Sequence, residues 1–289
     1  MRLTFLGFGL MAGSIARAVR ANPLAHDWTM AAWSPSGDGP HRAAADGVID
    51  LGAATPVEAL AGADLVVLAA SATDCLTLID SLAGPWREAL EPDAVVTDVA
   101  STKGAILGRA DAAALRFVGG HPMAGLETSG YDAADGRLFV DRPWVIIAGA
   151  HAAPTDAGRV ADLAAMCGAR VVLMDAAAHD RAVAAISHLP LIMAASLAES
   201  VAGRAGDDWA AAAELAAGGW RDTTRVARGD PAMGAAIVAT NAPALATRLR
   251  DLRAVLDVWL EELERPGGPD EEATRERLAA ARGALDSSS

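Results

Sequence analysis

The chain has 289 residues, of which 52% are hydrophobic and 21% charged, so it can bury the core of one or two globular domains and is not a disordered or collagen-like chain. Its formal net charge is −13, and no run of lysine or arginine interrupts that acidity, which argues against nucleic acid and anionic membrane surfaces as partners. Its two cysteines, Cys75 and Cys167, are far apart and its six histidines lack the spacing of metal ligands, so we expect neither a disulfide framework nor a metal site.

Two apolar segments bear on where the protein resides. The first begins at Met1 and ends at Gly7, which is typical of a short strand rather than of a secretory signal. The second, residues 182–198, is shorter than the roughly 20 residues that a membrane span needs, and His188 and Pro190 lie in its middle. We therefore expect this second segment to be a buried helix, and the protein to be cytoplasmic without a membrane partner.

The first 175 residues alternate short apolar runs with alanine-rich stretches. The apolar runs are bounded by Gly, Asp or Pro, as parallel strands buried on both faces are. They predict strands at residues 3–7, 28–33, 64–69, 94–98, 117–119, 144–148 and 170–174. The alternation predicts an α/β fold whose amino-terminal domain is a Rossmann-type, doubly wound parallel sheet.

The pattern changes near residue 175, after which no strand is predicted. Helices are predicted at residues 176–200, 207–217, 222–228, 231–264 and 271–285. We therefore predict an α/β domain over residues 1–175 and an all-α domain over residues 176–289. Pro190 lies inside the first of these helices, where it either makes a tolerated kink or turns Ser187 and His188 toward a cleft.

A glycine motif, GFGLMAG, follows the first predicted strand and opens the first predicted helix. Gly7 permits a tight turn, Gly9 lets the backbone approach a pyrophosphate, and Ala12 is small enough for close packing of helix and strand. The motif predicts a dinucleotide site whose contacts are Gly7, Gly9, Leu10, Met11, Ala12 and Gly13.

The choice between NAD and NADP depends on the end of the second predicted strand. The position that would bind the adenosine ribose holds Ser34 rather than Asp or Glu. A missing carboxylate removes the repulsion against a 2′-phosphate, and His41 and Arg42 are close enough in sequence to approach one. The cofactor is therefore predicted to be NAD or NADP, with NADP favoured unless Asp38 folds back toward the ribose.

Polar residues follow three further predicted strands, at the edge where open α/β sheets bind ligands. Ser71 and Asp98 are predicted to contact the cofactor, and Ser101 is either a helix N-cap or a functional hydroxyl. Lys103, in the same segment, is the only lysine in the chain. His121 follows a strand between glycines and a proline, and an unperturbed pKa near neutrality makes it a candidate general base.

In the helical half, two glycines at 218–219 break one predicted helix before an arginine cluster. Arg221 and Arg225 are four residues apart, so they share a helix face and can bind carboxylates, and Arg228 extends the patch. The alternative is a solvated face neutralised by neighbouring aspartates. In so acidic a chain, this cluster is the best candidate for an anion site.

Five segments, taken in order and spacing, carry a resemblance to a known family: GFGLMAGS, VTDVASTK, FVGGHPMAGLETSG, ISHLPLIMAASL and GGWRDTTRVARGDP. They make the chain similar to the prephenate/arogenate dehydrogenase family of tyrosine biosynthesis over residues 1–262, which is nearly its whole length. HPMAG and the WRDTTR block are far more specific than the glycine motif. The resemblance is greatest to compact arogenate-type members without a fused mutase or regulatory ACT domain.

The resemblance implies an NAD(P)-dependent oxidative decarboxylation, in which a cyclohexadienol loses a hydride and CO2 and becomes aromatic. It makes His121 the catalytic base and Ser101 a hydrogen-bond partner of that histidine or of the reacting hydroxyl. Arg225 is the arginine that binds a substrate carboxylate, with Arg221 a weaker candidate. The helical domains of the family dimerise, so we expect a homodimer. Positions that line or gate the pocket are matched by Glu127, Asp180, Ser187 and His188.

One departure from the family pattern concerns the substrate. Some prephenate-using relatives have a second histidine three residues after the SHLP histidine, where this chain has Leu191, and this favours arogenate. Among the alternatives, a β-hydroxyacid dehydrogenase would need a lysine in the helical half, and an imine or ketol-acid reductase does not fit the His121 loop. A non-catalytic NAD(P)-binding sensor is disfavoured by the presence of His121, Ser101 and Arg225.

Overall fold

One eight-stranded sheet organises the first 175 residues of the structure, a computed structural model that describes residues 1–126, 128–203 and 208–286. Its spatial order is β3-β2-β1-β4-β5-β6-β7-β8, and every neighbouring pair is parallel except β6 and β7. The strands are β1 Arg2–Leu6, β2 Thr29–Trp33, β3 Leu51–Gly52, β4 Leu65–Leu68, β5 Val95–Asp98, β6 Phe117–Pro122, β7 Pro143–Ala148 and β8 Arg170–Leu173. The strand order reverses between β1 and β4, which is where open α/β sheets bind ligands.

Helices cover both faces of the sheet and make up most of the described carboxyl-terminal half. They are α1 Leu10–Ala21, α2 Asp38–Ala45, α3 Pro56–Leu60, α4 Ala72–Ala83, α5 Gly104–Ala112, α6 Asp156–Met166, α7 Ala176–Val183, α8 Leu189–Ala198, α9 Asp208–Glu214, α10 Gly218–Thr224, α11 Pro231–Thr240, α12 Ala242–Leu263 and α13 Glu271–Asp286. One core cluster joins the sheet to α1, α2 and α6, and a second joins the opposite face to α3, α4 and α5. The sheet is therefore a buried central layer, as its apolar strands require.

The predicted α/β class is confirmed, and each of the seven predicted strands overlaps an observed one. The fully buried sequences LVVL in β4 and VVTD in β5 show why apolar runs identified the central strands. Two features differ from the prediction. Strand β3 has only two residues, too few for a recognisable run, and β7 runs antiparallel to β6, so the sheet is mostly rather than wholly parallel.

The carboxyl-terminal half is helical, as predicted, but its breaks differ. The predicted helix over 231–264 is two helices, because Asn241 leaves the helical path and Pro243 lies in the first turn of α12. The predicted helix over 222–228 begins earlier, at Gly218, and ends in a 3-10 turn over Arg225–Arg228. The start of the predicted helix at residue 207 lies outside the described residues.

The apolar helix expected to be buried runs from Ala176 to Gly203 and contains two π-helical turns, Ala184–His188 and Glu199–Gly203. By length and composition it could cross a membrane, and only 22% of its most apolar window is buried within the described chain. The expectation of a buried helix is therefore not met within a single copy of the chain. Pro190 lies in the first turn of α8, just after a π-helical turn.

Candidate active site

The glycine motif forms a tight turn between β1 and α1. Gly7 has a φ of +89°, and a Cβ atom at this position would lie 2.5 Å from the carbonyl oxygen of Ala69. Gly13 packs so closely that a Cβ would lie 2.8 Å from Ala134 and 2.9 Å from Tyr131. Beside Gly9, by contrast, a Cβ would meet nothing nearer than 4.0 Å. The turn is therefore closely packed at Gly7 and Gly13, and it is open at Gly9, where a ligand would approach.

The amino terminus of α1 offers the anion site that a pyrophosphate requires. Gly9 is the N-cap of α1 and no side chain caps it, so the first-turn N–H groups have no partner inside the helix. Leu10 and Met11 begin the helix and are half-buried, and Ala12 is buried against the sheet. These features fit a dinucleotide, with the helix dipole favouring its negative charge.

The other predicted cofactor residues differ in their surroundings. Ser34 follows β2, and its Oγ is buried without a hydrogen-bond partner in the described chain, as a position awaiting a ribose hydroxyl would be. Ser71 is the N-cap of α4, where its hydroxyl accepts from the N–H of Asp74. Arg42 forms an ion pair with Asp132 on the exposed rim of this region.

Asp98, another predicted cofactor residue, is bonded within the protein. Its carboxylate is fully buried, pairs with the ammonium of Lys103 and accepts N–H groups from Ala100 at 3.0 Å and Gly120 at 3.2 Å. Lys103 Nζ also donates to the carbonyl of Gly120 at 2.7 Å. These partners occupy the oxygens of a fully buried carboxylate, so Asp98 joins β5 to β6, and its contact with the cofactor stays a prediction.

His121 is the penultimate residue of β6 and is nearly buried, with 8% of its surface exposed. Its Nδ1 lies 2.8 Å from Nε2 of His179, and Nδ1 of His179 lies 2.8 Å from Oδ1 of Asp180. The two rings meet edge to face, with centroids 5.0 Å apart. A buried chain of three side chains therefore runs from α7 to the candidate base on the sheet.

Asp180 lies at the junction of the two halves of the protein. Its Oδ1 accepts the N–H of Lys103 and its Oδ2 the N–H of Gly104, both at 2.8 Å, so it caps the amino terminus of α5. Burial acts to raise the pKa of Asp180, but the hydrogen bonds from His179, Gly104 and Lys103 outweigh it and lower that pKa. The carboxylate is thus ionised and is a pure acceptor.

The surroundings of His121 keep its imidazole neutral. Burial is the main cause, and the nearby charge of Lys103 and the imidazoles of His179 and His188 add to it. Together they lower the pKa of His121 well below the ordinary histidine value of 6.5. A neutral imidazole is the form that accepts a proton.

A third histidine, His188, belongs to the same cluster and is 1% exposed. Asn241 Nδ2 donates to the carbonyl of Asp180 at 2.9 Å and lies 3.1 Å from Nδ1 of His188. Burial lowers the pKa of His188 to about 4, so its Nδ1 accepts from Asn241 and its Nε2 carries the proton. That Nε2 is buried without a partner in the described chain, which leaves a donor for a ligand.

The remaining predicted residues lie at several places around this cluster. Ser101 is half-buried at the end of β5, is not the N-cap of α5, and forms no hydrogen bond to His121. Ser187 is exposed on the π-helical turn. Arg221 and Arg225 are exposed on α10 and the following turn, which pack against α8. Glu127 lies outside the described residues.

Two members of the cluster, His179 and Asn241, were not predicted. His179 lies in the sequence AAAHDRA, which reads as an ordinary helical turn, and Asn241 reads as part of a long helix. The one available signal was the neighbouring Asp180, because a buried histidine next to an acid is a common pair in active sites.

Comparison with known families gives this geometry a context. A family model described as "Prephenate dehydrogenase, nucleotide-binding domain" matches residues 15–173, and one described as "Prephenate dehydrogenase, dimerization domain" matches residues 175–278. The chain belongs to the prephenate dehydrogenase family. The domain boundary predicted at residue 175 lies at the start of the second matched range.

Individual relatives agree with the family match. The chain is 31% identical to the prephenate dehydrogenase of Bacillus subtilis over 263 residues, which cover 90% of this chain and 67% of that one. It is 30% identical to Synechocystis arogenate dehydrogenase, whose crystal structure superposes with a TM-score of 0.81 and full coverage of both chains. A prephenate dehydrogenase from A. aeolicus, in complex with hydroxyphenyl propionate and NAD+, shares the fold with a TM-score of 0.88, 22% identity and coverage of 99% and 98%. This member of the family is an NAD(P)-dependent oxidoreductase.

Proposed function

We propose that this prephenate dehydrogenase family member oxidatively decarboxylates arogenate, with prephenate as the second candidate substrate, and that His121 is its general base. The observation that carries the proposal is the buried His121, whose Nδ1 is held inside the fold while its Nε2 forms no hydrogen bond within the described residues. A neutral imidazole with one nitrogen left for a ligand is what removal of a hydroxyl proton needs.

The reaction assigns a separate task to each part of the site. The bound nicotinamide supplies the hydride acceptor. His121 takes the proton of the ring hydroxyl as the hydrogen on the same carbon leaves as hydride with the electron pair of its bond, so that a carbonyl forms at that carbon. The bond from the ring to its carboxylate then breaks, CO2 departs, and the electron pair completes the aromatic ring as the oxygen regains a proton. Because aromatisation favours the products, positioning and proton removal are the protein's main contributions.

Other residues bind the substrate in this proposal. Ser101, which is half-buried three residues after the end of β5, donates to the reacting hydroxyl. His188 offers its unpartnered Nε2–H to a substrate oxygen. Arg225 pairs with a substrate carboxylate, with Arg221 as an auxiliary cation, and Glu127, Asp180 and Ser187 complete or gate the pocket.

Arogenate is favoured over prephenate by the residue at position 191. The side chain of arogenate carries an ammonium where prephenate carries a ketone, so a prephenate site gains from an additional hydrogen-bond donor. This chain places Leu191 three residues after His188, and a leucine cannot donate.

NADP is favoured over NAD by the end of β2. Ser34 presents a hydroxyl rather than a carboxylate, so a 2′-phosphate meets no fixed negative charge there. Arg42 on the neighbouring α2 is exposed, and its pairing with Asp132 on the surface can be exchanged for a phosphate at small cost.

We also propose a cytoplasmic homodimer in which a second copy, rather than lipid, covers the apolar helices. Four leucines of α12 form one exposed face, which we term the leucine stripe: Leu249, Leu256, Leu260 and Leu263, exposed by 41%, 48%, 53% and 64%. The match to a dimerization domain supports this occupant.

The dimer is tested by mass in solution. The wild-type protein should sediment at twice the 29.4 kDa of one chain. Leu256→Glu with Leu260→Glu should give the monomer mass, because charges in a buried apolar interface are costly. Ala254→Glu, on the opposite face of α12, is the matched control and should remain dimeric. A wild-type protein that sediments as a monomer contradicts the proposal.

The catalytic proposal is tested by the absorbance of reduced nicotinamide in four assays, with prephenate or arogenate and with NAD or NADP. Turnover with arogenate and NADP supports the roles given to Leu191 and Ser34. Faster turnover with prephenate and NAD retains the family activity and overturns both finer assignments. If no assay gives turnover while cofactor binding is intact, the alternative of a non-catalytic sensor replaces the proposed activity.

A further inference from the structure

The hydrogen bonds that link His121, His179 and Asp180 determine which of their nitrogen atoms carry protons. Both oxygens of the Asp180 carboxylate already accept backbone N–H groups from the start of α5, so this group can only accept. Nδ1 of His179, at 2.8 Å from Oδ1, must therefore carry a proton. In a neutral imidazole the other nitrogen is then a lone-pair acceptor.

The same reasoning extends to the next link. In the neutral form of His179, the acceptor Nε2 lies 2.8 Å from Nδ1 of His121, and a short contact between two nitrogens needs one proton between them. Since Nε2 of His179 accepts, Nδ1 of His121 donates. Nε2 of His121 is left with a lone pair, on the side of the ring that has no protein partner in the described residues.

We propose that His179 and Asp180 are positioning residues that fix His121 in the tautomer with a protonated Nδ1 and a free Nε2. The proposal rests on the proposed function and deepens it. It says that two residues of the helical half set the protonation pattern of the general base. When the O–H bond of the substrate breaks, its proton forms a new N–H bond at Nε2. The resulting imidazolium keeps its Nδ1–H bond to His179, and the charge of Asp180 stabilises it.

The other groups around His121 are compatible with this assignment. Lys103, from the segment between β5 and α5, directs its ammonium to Asp98 and to the carbonyl of Gly120. His188, from the π-helical turn, is bonded through Nδ1 to Asn241. Neither group competes for Nδ1 of His121, so among the described residues the contact with His179 decides where the proton of His121 lies.

Two substitutions of His179 separate the proposal from a simple packing role. In His179→Gln, an amide oxygen stands the same number of bonds from the backbone as Nε2 does, so it can still accept from His121. In His179→Asn, the amide nitrogen replaces Nδ1, so the bond to Asp180 is kept and the acceptor for His121 is lost. His179→Gln thus keeps the hydrogen bond to His121, and His179→Asn keeps the hydrogen bond to Asp180. We call this pair of hydrogen bonds the relay.

The readouts are NMR of ¹⁵N-labelled histidine at pH 8 and steady-state kinetics. We expect the wild type and His179→Gln to show the Nδ1–H tautomer of His121, identified by the signals missing from His121→Asn. His179→Asn should lose that tautomer, with kcat/KM lower by about 10²-fold, the scale of a lost general base, while KM for the cofactor is unchanged. His179→Gln should stay within about tenfold of the wild type in kcat/KM.

Three results overturn the proposal. They are an Nε2–H tautomer of His121 in the wild type, a wild-type kcat/KM in His179→Asn, and equal impairment of the two variants with an unchanged tautomer. The tautomer is measured in the free protein, so it can be determined even if neither prephenate nor arogenate is turned over. Failure of the proposed function is therefore distinguishable from failure of the relay.

Discussion

His121 and His188 belong to one buried cluster and have opposite hydrogen-bonding characters. The contact with His179 makes Nε2 of His121 an acceptor, whereas the amide of Asn241 makes Nε2 of His188 a donor. Both imidazoles are neutral because burial lowers the pKa of each. Two residues of one type can therefore take a proton from one substrate atom and donate a hydrogen bond to another.

Replacing His121 by Asn tests its assignment as the base. Asn retains a donor at the position of Nδ1, so the bond to His179 can persist, but it has no group at the position of Nε2. We expect kcat to fall by about 10²- to 10⁴-fold with little change in the dissociation constant of the cofactor. Turnover comes from nicotinamide absorbance and cofactor binding from fluorescence titration. A kcat within threefold of the wild type would remove His121 from the chemistry.

The lowered pKa of His121 also sets the pH dependence of the reaction. The base must be unprotonated, so kcat/KM is constant above its pKa and falls as the pH drops through it. Because that pKa is well below 6.5, we expect kcat/KM to keep its plateau value down to pH 6.5 and to decline only in more acidic buffer. The control is recovery of full activity on return to pH 7.5. An acid limb centred at or above pH 6.5 contradicts the burial argument.

At the scale of elements, the site is built from strand ends and helix starts. The uncapped α1 is left for a ligand, while α5 is capped by Asp180 from α7. One helix start is thus kept open for the cofactor, and the other is used to join the sheet to the helical half. The glycine turn before α1 is tightly constrained.

Gly7→Ala should therefore damage both folding and cofactor binding. Its Cβ would lie 2.5 Å from a carbonyl oxygen at a φ of +89°, so the turn must shift and carry the start of α1 with it. Gly47→Ala is the matched control, since its φ is +70° but nothing lies within 4 Å. In the control, the strain of alanine at a positive φ should lower the free energy of unfolding by about 1 kcal/mol and have no other effect. Urea unfolding measures the stability of each variant, and NADP titration measures its cofactor affinity. Equal losses of stability and equal cofactor affinities in the two variants would contradict the prediction.

A structural feature can be predicted from the sequence when residues close together in the chain determine it. The glycine turn and the buried strands β4 and β5 are encoded in a few consecutive residues, and they were predicted. The two-residue β3 has no pattern of its own. The antiparallel direction of β7, which follows β6 after a long connection, is a property of the strand pairing and not of the β7 sequence. The break at Asn241 has a local signal in Pro243, but the Asn241 side chain contacts Asp180 and His188, which lie 61 and 53 residues away, and no window of sequence shows those contacts.

At the scale of the whole molecule, buried neutral histidines link stability to pH. The pKa of His188 is about 4 in the folded state and 6.5 when exposed, so the unfolded chain binds the proton first. Stability is therefore complete above pH 6.5 and is lost as the pH falls from 6.5 toward 4. For His188 alone, the loss by pH 5 is about 2 kcal/mol.

Urea unfolding at several pH values between 7.5 and 5 checks this expectation. The free energy of unfolding should fall toward pH 5, and the slope should be shallower in His188→Gln by about one proton's contribution. Comparing slopes rather than absolute values cancels both the cost of the substitution and the relief of the −13 net charge on acidification. Identical slopes in the two proteins would show that His188 titrates normally in the folded state.

The burial of Lys103 has a practical consequence for chemical labelling. It is the only lysine of the chain, and its side chain is fully buried in an ion pair with Asp98. The folded protein therefore presents no lysine amine to acylating reagents, even though its surface is rich in charge. Acylation of Lys103, read by mass spectrometry, would occur only in molecules that have opened at the junction of sheet and helices. A mass shift on the peptide that contains Lys103, as distinct from acylation of the α-amine of Met1, would thus report opening of the segment between β5 and α5.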